Sequence, residues 1–147
     1  MLVIVAPLKT EDAPAVRQLL IAGLKERWGT YEPRFNPDIE TFPESYEGSV
    51  ILVAKSAGVV VGTGTLRRNT DGQAEVVRMP VAGPSRRAGI GSLILSHLMQ
   101  HAHQRAEHEV VLETTSSWAS AIAFYTRHGF IKTHEQGGDT YFRYKPQ

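Results

Sequence analysis

Pro84-Ser85-Arg86-Arg87-Ala88-Gly89-Ile90-Gly91-Ser92 is the stretch from which the architecture of this chain can be read. It lies between a strand-like run, Glu75 to Val81, and a run whose apolar residues Ile94, Leu95 and Leu98 recur at helical spacing. Two glycines permit positive φ and close approach of a ligand to the backbone. The first turn of the following helix offers unpaired N–H groups and a positive dipole end, which together suit a diphosphate. Arg86 and Arg87 add charge, and Ser92 adds a hydroxyl. An ordinary strand-to-helix turn with two surface arginines has the same composition. A P-loop is unsupported, because Ser92-Leu93 stands where Lys-Ser/Thr is required. A dinucleotide fingerprint is unsupported, because Ile94 occupies the place of its third glycine.

Working outward, Leu2-Val3-Ile4-Val5 is a β-branched run and the first expected strand. Thr10 is a candidate helix cap, and Val16, Leu19, Leu20 and Leu24 carry that helix to about Lys25–Arg27. A loop rich in proline and aromatics follows, with one short helix expected from Pro37 to Tyr46. Strands are expected over 49–54 and 59–66, joined by a turn at Ser56-Ala57-Gly58, and from about Gln73 to Val81 after the turn Asn69-Thr70-Asp71-Gly72. The helix opened near Gly89 should reach about Ala106, followed by a strand over 109–114 and a helix from Ala119 to His128 closed by Gly129. Phe130 to Thr133 and Thr140 to Tyr144 complete the order as strands. Three hairpin-linked strands followed by strand–helix alternation argue for one mixed sheet with helices on its faces.

The chain has 147 residues, a formal net charge of +1 and no cysteine. That length fits one domain spanning residues 1–147, with no repeat or linker to divide it. The charge balance gives no reason to expect nucleic acid or an anionic membrane. Without cysteine there is no disulfide, thiolate nucleophile or thiolate metal site, which fits a reducing compartment. No run approaches the ~20 apolar residues of a membrane span, so a cytoplasmic location is expected.

Arg86-x-x-Gly89-x-Gly91 resembles the Q/R-x-x-G-x-G/A signature of the GNAT superfamily of acetyl-CoA-dependent N-acetyltransferases. Glu75-Val76-Val77-Arg78-Met79-Pro80-Val81 looks like the strand preceding that signature, and Ala121 to Phe130, with Phe124-Tyr125 and Gly129-Phe130, resembles the family's second hallmark, A-x-x-(L/F)-Y-x-x-x-G-F. The resemblance is strong over residues 50–135. It implies a GNAT fold, a mixed and mostly antiparallel sheet of about seven strands, flanked by helices and splayed between the fourth and fifth. It implies that amides from Arg87 through Ala88, Gly89, Ile90 and Gly91 to Ser92, beside Arg86, hold the diphosphate of acetyl-CoA, while Met79 and Val81 bind the pantetheine arm through backbone groups. Pro80 departs from the pattern by lacking an N–H, and Trp118 stands where many members have asparagine. Family members often pair as homodimers, although no interface is legible here.

An acceptor amine must lose a proton, its pKa being ~10 for a lysine-like group, and the departing thiolate must gain one. Tyr125 resembles the family's proton donor. Glu113, twelve residues before it, and Glu75, at the start of the strand entering the loop, are the two candidate bases, and both could equally be solvated strand-end carboxylates. Trp28, Tyr31, Arg34 and Phe35 lie in the segment that lines the acceptor site in this superfamily. The acceptor is read as a small amine or amino acid, with a peptide N-terminus or lysine and a non-catalytic CoA-binding module as alternatives. His97 and His101 share a helix face, but HExxH is absent and no third ligand follows, so no metal is expected.

Overall fold

In a computed structural model, which describes residues 2–86 and 88–146, the chain forms a seven-stranded sheet with helices on both faces. The elements are β1 (Val3–Pro7), α1 (Ala13–Trp28), α2 (Pro37–Glu40), β2 (Val50–Ser56), β3 (Val59–Arg68), β4 (Ala74–Val77), α3 (Ile90–Gln104), β5 (Val110–Thr115), α4 (Ala119–Arg127), β6 (Ile131–Gln136) and β7 (Asp139–Tyr144). Their spatial order is β1-β2-β3-β4-β5-β7-β6, antiparallel except for the β4–β5 pair.

Strand alternation divides the core in two. Leu52, Ala54, Val76, Val110 and Leu112 face α3 and α4, with Ile94 and Leu98 fully buried against them. Ile51 and Val53 face α1 and the α2 segment, meeting Val16, Leu20, Ile39 and Tyr46. Helix α3 lies close to β3 because Gly62 and Gly64 present no side chain there: a Cβ on Gly64 would stand 2.8 Å from Ile94 Cγ2 and 3.0 Å from Met79 Cγ. Beyond the reach of α1, the face of β5, β7 and β6 carrying Val111, Glu113, Tyr141 and Arg143 borders a polar cavity of about 510 Å³.

Four expectations need correction. The helix expected over 37–46 stops at Glu40, and a 3₁₀ turn covers Glu44–Tyr46, because Pro43 lacks an N–H and restricts Phe42 before it. Thr10 caps nothing: it begins a 3₁₀ turn, α1 starts at Ala13, and the Asp12 carboxylate pairs with Lys55 at 2.7 Å. The strand expected to reach Val81 ends at Val77, where Arg78 turns into the left-handed region at φ 53°. Helix α3 ends at Gln104, two residues short of Ala106. Among the described residues, no helix is long and apolar enough to cross a membrane.

Candidate active site

The site starts with a failure of pairing. β4 and β5 run in parallel register only at Ala74–Val110 and Glu75–Val111. β4 pairs with β3 up to Thr65–Val77, and the chain meets β3 again at the Gly62–Val81 bridge. One more residue lies on the β4 side than on the β3 side of that interval, so Arg78 forms a bulge, which bends the strand away from β5.

The hydrogen bonds flanking the bridge decide which groups face the gap. Thr63 N–H donates to Pro80 O at 3.2 Å and Ala82 N–H to Val61 O at 2.8 Å. Residues 80 and 82 therefore turn their main-chain groups toward β3, and Met79 and Val81 turn theirs toward the opening. The N–H that Pro80 lacks would have pointed at β3, so the proline costs a ladder bond and leaves the gap-facing groups intact.

Arg78 is anchored from the α2 side. Its Nε and Nη2 donate to Asp38 Oδ2 and Oδ1 at 2.9 and 2.8 Å, and Nη2 also reaches Asn36 Oδ1 at 3.2 Å. Tyr46 donates its phenolic proton to the same carboxylate. Burial alone would raise the Asp38 pKa, but the bonds from Arg78 and Tyr46 outweigh it and hold Asp38 below its ordinary value. Burial, reinforced by the bond to Asp38, pushes the Tyr46 phenol up to about 12. Sequence reading missed this cluster; the available signal was a charged residue inside the β-branched run Val76-Val77-Arg78-Met79.

At the far end of the gap, Gly89 caps α3 in the left-handed conformation at φ 76°, and no side chain caps the helix. The first intrahelical bond there is Leu93 N–H to Gly89 O at 3.0 Å. The amides of Ile90, Gly91 and Ser92 thus precede the helix's own ladder. The Ser92 hydroxyl is engaged by His128 Nε2 at 2.9 Å, and His128 Nδ1 lies 2.8 Å from Phe124 O. With Nδ1–H donating to that carbonyl, Ser92 is the donor to Nε2. The side chain of Arg86 pairs with Glu26 and also donates to Val81 O at 3.2 Å. Arg87 lies outside the described residues.

Tyr125 projects from α4 among Phe124, Phe130 and Phe142, at ring-centroid distances of 5.2, 5.8 and 6.2 Å. Burial pushes its phenol up to about 12, against a small opposing effect of Arg27. Alternation sets Glu113 on the opposite face of the sheet, level with Val77, where the splay begins. Glu113 is exposed and faces Tyr141 across the β5–β7 pair, raising the Tyr141 phenol. Glu75 is 8% exposed, and its Oε1 accepts Arg67 Nε and Nη2 at 3.0 and 2.9 Å. The four residues expected to line the acceptor site do not converge. Trp28 packs on Trp118; Tyr31 donates to Glu40 at 2.6 Å; Arg34 lies over Phe35, with both exposed. Among the described residues, no three His, Asp or Glu side chains stand close enough to hold a metal ion.

The sequence profile described as Acetyltransferase (GNAT) family matches residues 13–130. The chain belongs to this family. A relative in mouse, N-acetyltransferase family 8 member 7, is 31% identical over 112 residues, covering 73% of this chain and 48% of its own. An IAA acetyltransferase of Azospirillum brasilense is 36% identical over 80 residues, covering 54% of this chain and 52% of its own. The chain thus spans about half the length of the curated relatives it matches. Among solved structures, the PaiA N-acetyltransferase of Thermoplasma acidophilum in complex with coenzyme A superposes with a TM-score of 0.84 at 18% identity, over 99% of both chains. A GNAT-family acetyltransferase of Staphylococcus aureus Mu50 gives 0.85 at 17% identity, over 99% of this chain and 100% of its own. At those identities the likeness establishes the GNAT fold.

Proposed function

We propose that this chain transfers an acetyl group from acetyl-CoA to the amine of a small molecule or amino acid, by direct attack of the acceptor. The opening between β4 and β5 carries this reading, because main-chain groups of Met79 and Val81 line one bank of it. The residues fit the cosubstrate. Met79 and Val81 offer strand-like partners to the pantetheine amides. The loop from Arg86 through Ala88 and Gly89 to the amides of Ile90, Gly91 and Ser92 offers a diphosphate site. The neighbour solved with coenzyme A supports the same cosubstrate.

In this scheme the acid and base work from opposite faces of the sheet and meet through the splay. Glu113, on the open face, takes a proton from the acceptor ammonium directly or through water. The amine nitrogen bonds to the thioester carbonyl carbon, an N–H at Met79 or Val81 steadies the oxyanion, and collapse breaks the C–S bond. With its pKa near 12, Tyr125 keeps its proton through the neutral range, so it donates a hydrogen bond to the departing sulfur. A simple thiol has a pKa of ~8.5, and the ammonium supplies both the proton that ends on sulfur and the one released to solvent. With no cysteine in the chain, no thioester forms on the protein. Glu113 is favoured over Glu75 because Arg67 already occupies the Glu75 carboxylate.

A cavity of about 510 Å³ beside Glu113 supports a small acceptor. The outward placement of Arg34 and Phe35 supports the second reading, a peptide N-terminus, since neither side chain narrows the approach. Thiol release from acetyl-CoA across a panel of amines and peptides separates the two. Binding of CoA with no thiol released by any acceptor would leave only a non-catalytic module. Glu113→Gln is expected to lower kcat about tenfold or more and remove the acidic limb of the pH–rate profile, with Glu75→Gln leaving that limb in place.

A further inference from the structure

Three consecutive residues in the last turn of α1 span the opening. Glu26 reaches the β4 bank, where its carboxylate accepts both terminal nitrogens of Arg86, one of them at 2.6 Å. Arg27 and Trp28 reach the β5 bank: Arg27 Cζ lies 4.7 Å from the centre of the Trp118 ring, and the Trp28 and Trp118 rings are 5.2 Å apart. Gly29, at φ 78°, ends the helix there, its N–H bonded to Lys25 O at 2.7 Å. The turn is thus a strap tied to both sides of the gap.

Arg86 is the arginine of the loop motif, and a guanidinium fork takes a carboxylate or a phosphate in the same two-point manner. Resting on the acetyl-CoA reading above, we infer that Glu26 is a built-in competitor for the diphosphate on Arg86, and that cosubstrate binding exchanges one anion for the other and loosens the Trp28–Trp118 contact. A diphosphate carries more charge than a carboxylate and is met by the α3 amides as well, which favours the exchange. Once Arg86 turns to it, Glu26 faces like charge across a short distance, and the repelled helix turn carries Arg27 and Trp28 with it. Both side chains of the ion pair are about half exposed, so salt screens the competition.

The chain has two tryptophans, Trp28 in the strap and Trp118 on the bank it is tied to, so intrinsic emission reports their contact directly. Calorimetric titration of coenzyme A into the full chain, with emission followed in parallel, tests the inference. Glu26→Ala, at an exposed helical position where alanine is well tolerated, should tighten the dissociation constant about three- to tenfold at low salt, and Glu26→Gln somewhat less. The gain should fade at high salt, and in the unaltered chain the emission should shift as sites fill. Equal or weaker binding by both variants, or binding without any emission change, overturns the inference while leaving the acetyl-CoA site standing. Absence of heat with the unaltered chain overturns the acetyl-CoA reading, and the inference falls with it.

Discussion

Two pairs of neighbouring strands in this sheet behave in opposite ways. All seven residues of β2 pair with β3, whereas β4 and β5 share two register positions before parting. Both pairs are rich in β-branched and aliphatic residues, so strand propensity does not separate them. What separates them is Arg78: a single extra residue with left-handed backbone, locked by Asp38 from the α2 side, redirects the strand. The closed pair is made for stability. The open pair leaves main-chain groups of Met79 and Val81 outside the sheet's own ladder, with Val81 O taken by Arg86, and the candidate chemistry gathers around them.

The comparison is sharpened most by Tyr125→Phe, which removes a single hydroxyl and leaves the closed pair untouched. We expect kcat to fall about 100-fold or more, with the KM for acetyl-CoA and the melting temperature little changed; an unchanged kcat would remove Tyr125 from the mechanism. Next in size is Asp38→Ala. It leaves Arg78 and Tyr46 without their shared partner, at a cost of about 1–3 kcal/mol by denaturant titration, together with a raised KM for acetyl-CoA if the bulge relaxes. The same pair sets a pH dependence. Asp38 is held below its ordinary value, so its contribution is complete above about pH 5 and is lost as pH falls through the folded pKa. Asp38→Ala should therefore lose less stability than the unaltered chain on going from pH 6 to pH 3. Gly64→Ala probes the closed pair. Forcing a methyl against Ile94 and Met79 should cost about 1–2 kcal/mol of stability, with kcat/KM per folded molecule nearly unchanged. The smallest effect is expected for Ser92→Ala, which frees His128 and should weaken coenzyme A binding about two- to threefold by calorimetry.

The closed part of the fold was legible because its signals are local. Val50 to Ala54 and Val59 to Leu66 carry strand character in every window, and Ile94, Leu95 and Leu98 announce α3 by spacing. β6 was harder: Lys132-Thr133-His134-Glu135-Gln136 is polar and exposed throughout, and only its pairing with β7 makes it a strand to Gln136. The contrast holds in the site. Glu113, Glu75 and Tyr125 stand out by type and spacing, but the Arg67 bonds on the Glu75 carboxylate are visible only in the fold. Trp28, Tyr31, Arg34 and Phe35 lie close in sequence, but the fold sends Trp28 to Trp118, Tyr31 to Glu40, and Arg34 and Phe35 to each other.

By itself, the sequence determined the order of elements, the family, and the glycine-bearing loop that starts α3, because periodicity, turn residues and the Arg86-x-x-Gly89-x-Gly91 spacing act over a few neighbouring positions. Only the tertiary structure decided that Asp38 would pin Arg78 forty residues away, that Glu26 would reach Arg86, and that His128 would take the Ser92 hydroxyl. Such pairings depend on where whole strands and helices come to rest, and a charged side chain carries no mark of its eventual partner.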